Sequence, residues 1–313
     1  MKLNQQAASL CQSLIDRAET LRAEVHQIAG ATVVDLGVNA GGGLEAGLAL
    51  AEICLAGLGR VTLAAGDPSV WHGPAVAVVS DQPVAACLAS QYAGWQIAQG
   101  KYFAMGSGPM RAAAGREALF DEIGLRERPD VAVGVLETAK LPTEEIVEFL
   151  AAECEIAPSQ LMLLAARTAS QAGTLQVVAR SIETALHKLH ELKFDLRRIE
   201  SGWGVAPLPP PAADDLAGIG RTNDAILYGA RVTLWVRGDD ASLESVGPRI
   251  PSNASPDHGE PFASVFERYG RDFYKIDPQL FSPAEITLCN LDSGRSFRFG
   301  RILPEVIERS FST

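Results

Sequence analysis

The sequence predicts an α/β protein of two domains, on three observations. Residues 31–37 are a short β-branched run, 40–43 a glycine loop (Ala40-Gly41-Gly42-Gly43) and 44–55 a helical stretch. Strand signals return at 60–64 and 75–80, and strand, glycine loop, helix and strand in that order are the parts of an α/β unit. At 313 residues the chain is long for one core and sufficient for two. Finally, four of the five residues in Pro207-Leu208-Pro209-Pro210-Pro211 are proline, a stiff run of the kind that crosses a surface or separates domains. The expected division is 1–200 and 201–313, with approximate bounds that leave room for a discontinuous domain.

Taken in order, residues 4–28 read as an amphipathic helix, because Leu10, Leu14, Ile15, Leu21 and Val25 recur at near-helical intervals. After the first α/β unit, Gly57-Leu58-Gly59 closes the helix. Residues 83–91 read as helical, 95–105 as extended, and a second loop, Gly106-Ser107-Gly108-Pro109-Met110-Arg111, introduces a helix through 120. A strand at 131–136, a helix with an acidic first turn at 143–152 and a buried strand at 160–166 follow. One long helix is expected over 171–192, and a strand over 230–236.

Composition narrows the function. Apolar residues make up 47% and charged residues 21%, as in an ordinary globular protein. The formal net charge of −11 and the lack of a basic cluster argue against a nucleic-acid partner. No segment reaches the ~18 consecutive apolar residues of a membrane span, and Met1-Lys2-Leu3-Asn4-Gln5-Gln6 lacks a signal-peptide core, so the expected location is the cytoplasm. The five cysteines (Cys11, Cys54, Cys87, Cys154, Cys289) have no CxxC spacing, which argues against disulfides and structural zinc. His187 and His190 stand three apart without an accompanying carboxylate motif, so no metal site is expected.

Chemistry concentrates at Arg180-Ser181-Ile182-Glu183-Thr184-Ala185-Leu186-His187. At helical spacing Arg180, Glu183 and His187 share one face, and an arginine-paired carboxylate beside an imidazole can hold and deprotonate a water. The plainer alternative is a solvated (i, i+3) ion pair. The glycine loops allow backbone N–H groups to approach an anion: Gly41, Gly42 and Gly43 before one helix, Gly106, Ser107, Gly108 and Arg111 at the start of another. Neither has a GxGxxG or GxxxxGK[ST] pattern, and tight turns without a ligand remain the alternative. In Asp272-Phe273-Tyr274-Lys275-Ile276-Asp277 and Leu280-Phe281-Ser282-Pro283-Ala284, aromatics interleaved with Asp and Lys can stack on a flat heterocycle and hydrogen-bond its edge. A core corner with charges turned outward is the alternative.

Together these stretches resemble the methenyltetrahydromethanopterin cyclohydrolase family. Gly41-Gly42-Gly43-Leu44-Glu45-Ala46-Gly47, Gly106-Ser107-Gly108-Pro109, the Arg180/Glu183 segment, residues 219–229 and the two aromatic segments carry the resemblance, which runs from the first helix to Ser310-Phe311. It implies a two-domain α/β homotrimer with the pterin cleft between the domains. It also implies a pterin one-carbon carrier as substrate, and catalysis by Arg180 and Glu183 with no metal or organic cofactor. Asn223 and Asp224 then become candidates for the pterin edge, Phe273, Lys275 and Phe281 for the cleft lining, and the 106–111 loop for a phosphate on the coenzyme tail. His258, in Pro256-Asp257-His258-Gly259, departs from the aromatic residue expected there. Two other readings stay open on the residues alone: a non-catalytic pterin carrier, and a nucleotide-dependent transferase.

Overall fold

Twelve strands alternate with helices along the chain of the computed structural model, which describes residues 1–312, Tyr274 by its backbone alone. In chain order the strands are β1 (Glu24–Ile28), β2 (Ala31–Asp35), β3 (Arg60–Ala64), β4 (Ala75–Ser80), β5 (Trp95–Gln99), β6 (Tyr102–Ser107), β7 (Ala132–Thr138), β8 (Leu161–Ala166), β9 (Ile199–Pro207), β10 (Arg231–Val236), β11 (Glu285–Asn290) and β12 (Ser296–Gly300). They form two six-stranded mixed sheets, one in each of two compact units.

The first unit comprises Met1–Gly59 and Ala85–Val177. Its sheet runs β1-β2-β8-β7-β6-β5, with β2, β8 and β7 mutually parallel and the outer pairs antiparallel. Helices cover both faces, so β8 reads as an unbroken apolar run. Period two assigns alternate residues to opposite cores. Val33, Leu136 and Leu163 pack with Val147 and Leu150 of helix Glu144–Glu153. Val34, Val135 and Leu164 pack with Leu14 of helix Leu3–Ile15 and with Leu50 and Ile53 of helix Leu44–Cys54.

The second unit joins Arg60–Val84 to the chain from Val178 onward. Its sheet runs β12-β11-β10-β9-β4-β3, antiparallel except for β10 beside β11. The first hairpin, β3–β4, docks on β9 although more than a hundred residues separate them, Ala75 pairing with Pro207 and Ser80 with Gly202.

The structure corrects or refines the sequence expectations in several places, and the helix expected from the second glycine loop through 120 is two short ones, Met110–Ala114 and Leu119–Ile123. The helix expected over 4–28 ends at Ile15, a short helix spans Ala18–Leu21, and Val25 lies in β1, antiparallel to β2. The turn between those strands places both Ala29 and Gly30 at positive φ, the hairpin geometry that twists strands correctly. Residues 84–91 are helical but wound as a π-helix, a rare form. Helix 171–192 is two helices, Gln171–Val178 and Ser181–Glu191, broken at Ala179 and Arg180. The chain does not divide near 200, because the proline run is the exit of β9: Leu208 N donates to the Pro74 carbonyl at 2.9 Å and Arg221 Nη1 to the Pro211 carbonyl at 2.8 Å.

Candidate functional site

Arg180 is not mid-helix. It occupies the N-cap position of helix Ser181–Glu191 (φ −91°, ψ 11°), and its carbonyl accepts the first intrahelical bond from Thr184 N at 2.9 Å. Glu183 falls in the first turn of that helix, where the positive end of the helix dipole favours a carboxylate. Arg180 is 6% exposed and Glu183 5%. A solvated surface pair is thereby ruled out: two ionisable groups are held nearly out of water in one helical turn, a costly arrangement that is common where chemistry is done. His187, one turn on, is half-buried.

The same helix carries Lys188, a residue sequence reasoning passed over. Its side chain is buried and Nζ donates to the Gln279 carbonyl at 2.6 Å. Burial pushes its pKa down to about 8, opposed by Asp277 and reinforced by Arg249. The receiving loop, a single 3₁₀ turn at Pro278–Leu280, leads directly to Phe281. Alternation of charge gave no hint of this link, since a lysine on a helix ordinarily reads as solvated.

Phe262, Phe266, Phe273 and Phe281 form one aromatic cluster, with Phe273 4.5 Å from Phe266 and Phe281 5.8 Å from Phe262 between ring centroids. Phe281 is half-buried, whereas Phe273 is 39% exposed and presents part of its ring to solvent. Lys275 is also exposed, its Nζ 3.4 Å from Asp272. The side chain of Tyr274, within the same motif, lies outside the described residues. Asn223 and Asp224 lie on helix Asp215–Leu227. Asn223 Nδ2 donates to the Ile219 carbonyl at 2.9 Å, a half-buried position. Asp224 is wholly buried and Oδ1 accepts from Phe262 N at 2.8 Å, so it supports the aromatic cluster from beneath. Burial pushes its pKa up to about 7, opposed by Ser310, the Phe262 N–H and Arg309. His258 fills the place of an aromatic by lying against the Tyr228 ring, 5.0 Å between centroids. Its Nδ1 is 3.2 Å from Ser252 Oγ, whose own hydrogen goes to the Leu227 carbonyl, so Nδ1 is the protonated nitrogen.

Both glycine loops lie in the first unit. Asp35, fully buried at the end of β2, accepts from four successive backbone N–H groups, those of Gly37, Val38, Asn39 and Ala40, at 2.7–3.1 Å. That fixes the approach to Gly41, Gly42 and Gly43. Gly42 needs to be glycine twice over: φ is +53°, and a β-carbon would strike the Leu36 carbonyl oxygen. The second loop faces inward. Arg111 is buried, with Nε 2.9 Å from Glu117 Oε1 and Nη1 3.0 Å from the Leu88 carbonyl within the π-helix. Its guanidinium lies over the Tyr92 ring at 4.9 Å. Ser107 Oγ, also buried, is 3.4 Å from Cys54 Sγ, and Gly108 N donates to the Ser90 carbonyl at 2.8 Å. Gly106 packs against Ile97 and Met110. In this geometry the 106–111 loop braces the π-helix, with the arginine's donors used inside the unit. Sequence reasoning also missed a carboxylate at the C-terminal end of β7, Glu137, which receives a short hydrogen bond from Thr168 beyond the end of β8. Ligands of open α/β sheets gather at that end of parallel strands. Its signal in the sequence, an acidic residue closing an apolar strand, was too ordinary to single out.

The geometry can be set against known proteins. A family model described as Cyclohydrolase (MCH) matches residues 2–311. The methenyltetrahydromethanopterin cyclohydrolase of Rhodopirellula baltica is 49% identical over 314 residues, covering 99% of this chain and 94% of that protein. The enzyme of the same name from Xanthobacter autotrophicus is 50% identical, covering 97% and 90% respectively. That from Methanosarcina barkeri is 41% identical, covering 99% and 98%. With a family model spanning nearly every residue and identities of this size along the whole length, the chain belongs to the methenyltetrahydromethanopterin cyclohydrolase family.

Proposed function

We propose that this protein reversibly hydrolyses 5,10-methenyltetrahydromethanopterin, or its dephospho form, to the N5-formyl compound, as a cytoplasmic enzyme of one-carbon metabolism. One observation carries the residue-level reading: in a chain that matches the family end to end, an arginine and a glutamate are buried in the same first helical turn.

The substrate is a cyclic amidinium whose positive charge is shared by N5, the bridging carbon and N10. Glu183 orients a water and takes its proton as the oxygen attacks the bridging carbon. The resulting carbinol opens by breaking the bond to N10, which receives a proton, and the carbon leaves as a formyl group on N5. One proton is released overall. The electrophile is activated by its own charge, so the step calls on no cofactor. General acid–base help of this kind is worth ~10²–10⁴-fold, and positioning contributes more. Arg180 restrains Glu183: a free carboxylate would stabilise the substrate cation as well as the transition state, raising no rate. Phe273 and Phe281 offer ring faces to the pterin, with Asn223 and Lys275 beside them, and the glycines at 41–43 remain the candidate backbone donors for a coenzyme tail. Assembly as a homotrimer is part of the proposal. Its support is the sheet of the second unit, where Val79 (44% exposed) and Trp203 (37%) sit opposite each other in register.

The test is the absorbance decay of methenyltetrahydromethanopterin with purified wild-type protein and with Glu183→Gln. Glu183→Gln keeps the shape without the base, and a fall of ~10²-fold or more in kcat is expected. Wild-type-like turnover by Glu183→Gln would remove Glu183 from the mechanism. Tight binding without turnover by the wild type would replace the enzyme with a carrier.

A further inference from the structure

The segment Gly202-Trp203-Gly204 on β9 has no role in the chemistry above, yet it lies directly behind it. Trp203 points to the exposed face of the sheet, so Gly202 and Gly204 point to the buried face, where helix Ser181–Glu191 packs on β9. Neither glycine has a positive φ, so the backbone itself would accept a side chain at both positions. Space is what forbids it. A β-carbon on Gly204 would collide with Ser181 Oγ and lie 3.2 Å from Ile182 Cγ1. One on Gly202 would lie 3.0 Å from Ile182 Cγ2 and 3.3 Å from Leu234 Cδ2. Ser181 and Ile182 are the two residues between Arg180 and Glu183. Ser181 is wholly buried, and among the described residues its hydroxyl has no hydrogen-bond partner. Its oxygen is held in place by shape alone, in the hollow that the missing side chain of Gly204 leaves.

From this we infer that Gly204 is a positioning residue for the reaction, setting the depth at which the Arg180–Glu183 turn seats on the sheet. The inference rests on the proposed catalytic role of that turn. A methyl group at 204 displaces Ser181, and Arg180 and Glu183 move with it as parts of one helical start. A displacement of about 1 Å at a catalytic group costs on the order of 10²-fold in rate. Binding is spared, because the aromatic residues proposed to hold the pterin lie on other segments.

The experiment compares Gly204→Ala with the double variant Ser181→Ala/Gly204→Ala and with Ser181→Ala, using methenyltetrahydromethanopterin as the probe and thermal melting to verify folding. Gly204→Ala is expected to lower kcat by about 10- to 100-fold, with KM changed by less than about threefold. Removing the Ser181 hydroxyl clears the collision, so the double variant is expected to return to within about threefold of Ser181→Ala. A folded Gly204→Ala protein with wild-type kcat overturns the inference, as does a double variant no better than the single. Should Gly204→Ala not fold, Gly202→Ala, whose methyl group presses on Ile182 of the same turn at 3.0 Å without the harder collision with Ser181, is expected to show a smaller kcat loss, and an unchanged kcat there overturns it equally. Glu183→Gln run alongside separates the two levels. If it stays active the catalytic reading falls; if it is inactive while Gly204→Ala is normal, only the positioning role falls.

Discussion

A carboxyl group with no exposed surface makes the folding of this protein depend on pH. Asp224 has a pKa of about 7 in the folded protein against 3.8 in an open chain, because burial disfavours the charge. The folded state therefore holds the proton more tightly. Stability is unaffected below about pH 4, falls as pH rises from there to about 7, and stays reduced above it. The integrated loss is on the order of 4 kcal/mol. Asp224→Asn retains an acceptor for Phe262 N and cannot ionise. Its melting temperature is expected to exceed that of the wild type at pH 8 and to lose most of the decline between pH 5 and 8. An equal decline in both proteins would show that other groups govern it. The residue level is also where sequence was most and least legible. Arg180 and Glu183 stood out because a charged pair interrupted an apolar run, and their burial fits that reading. Asp224 stood in a polar run that looked like a ligand edge, yet inside the fold it is turned to the Phe262 N–H and Ser310. Arg111 followed the same course, since a loop arginine reads identically whether it faces solvent or a π-helix carbonyl.

Among the elements, helix Ser181–Glu191 is fastened at two levels, by β9 behind its first turn and by Lys188 further along. The lysine reaches the loop that delivers Phe281. Lys188→Met deprives the Gln279 carbonyl of its donor, and a buried acceptor left without a partner costs about 1–3 kcal/mol. The loop is expected to loosen, so that KM rises by roughly threefold or more while kcat changes little. A selective fall in kcat would instead place Lys188 with the catalytic turn. Most elements were visible from their residue pattern, because β8 is an apolar run of strand length, β7 is apolar from Ala132 to Leu136, β2 is rich in β-branched residues and helix Leu44–Cys54 follows its glycines directly. Failures came where two signals overlap. Val25 fits the helical stripe of Leu10, Leu14 and Leu21 and fits a strand equally well, and pairing with β2 decides in favour of the strand. The break at Ala179 and Arg180 has no glycine or proline to announce it.

For the molecule as a whole, the proposed trimer has a measurable consequence. Trp203→Asp places a charge at the centre of the exposed strip formed with Val79 across β9 and β4. Light scattering is expected to show three 33.2 kDa chains for the wild type and a shift towards one for this variant. An unchanged trimer would move the interface elsewhere. The α/β class was readable from the order of elements, but the partition into units was not. The chain passes between them after Gly59, Val84 and Val177, and none of those points carries a proline run or a shift in composition. The one conspicuous proline run lies inside the second unit. That interleaving has a consequence for synthesis on the ribosome. Every strand of the first unit's sheet has emerged by Ala166, so that sheet can close while the rest of the chain is still being made. The β3–β4 hairpin emerges early too, but the strand that completes it, β9, ends at Pro207. Throughout that interval Val76 and Val78 belong to an open strand edge awaiting its partner, and the nascent protein is then most exposed to pairing with a neighbouring chain.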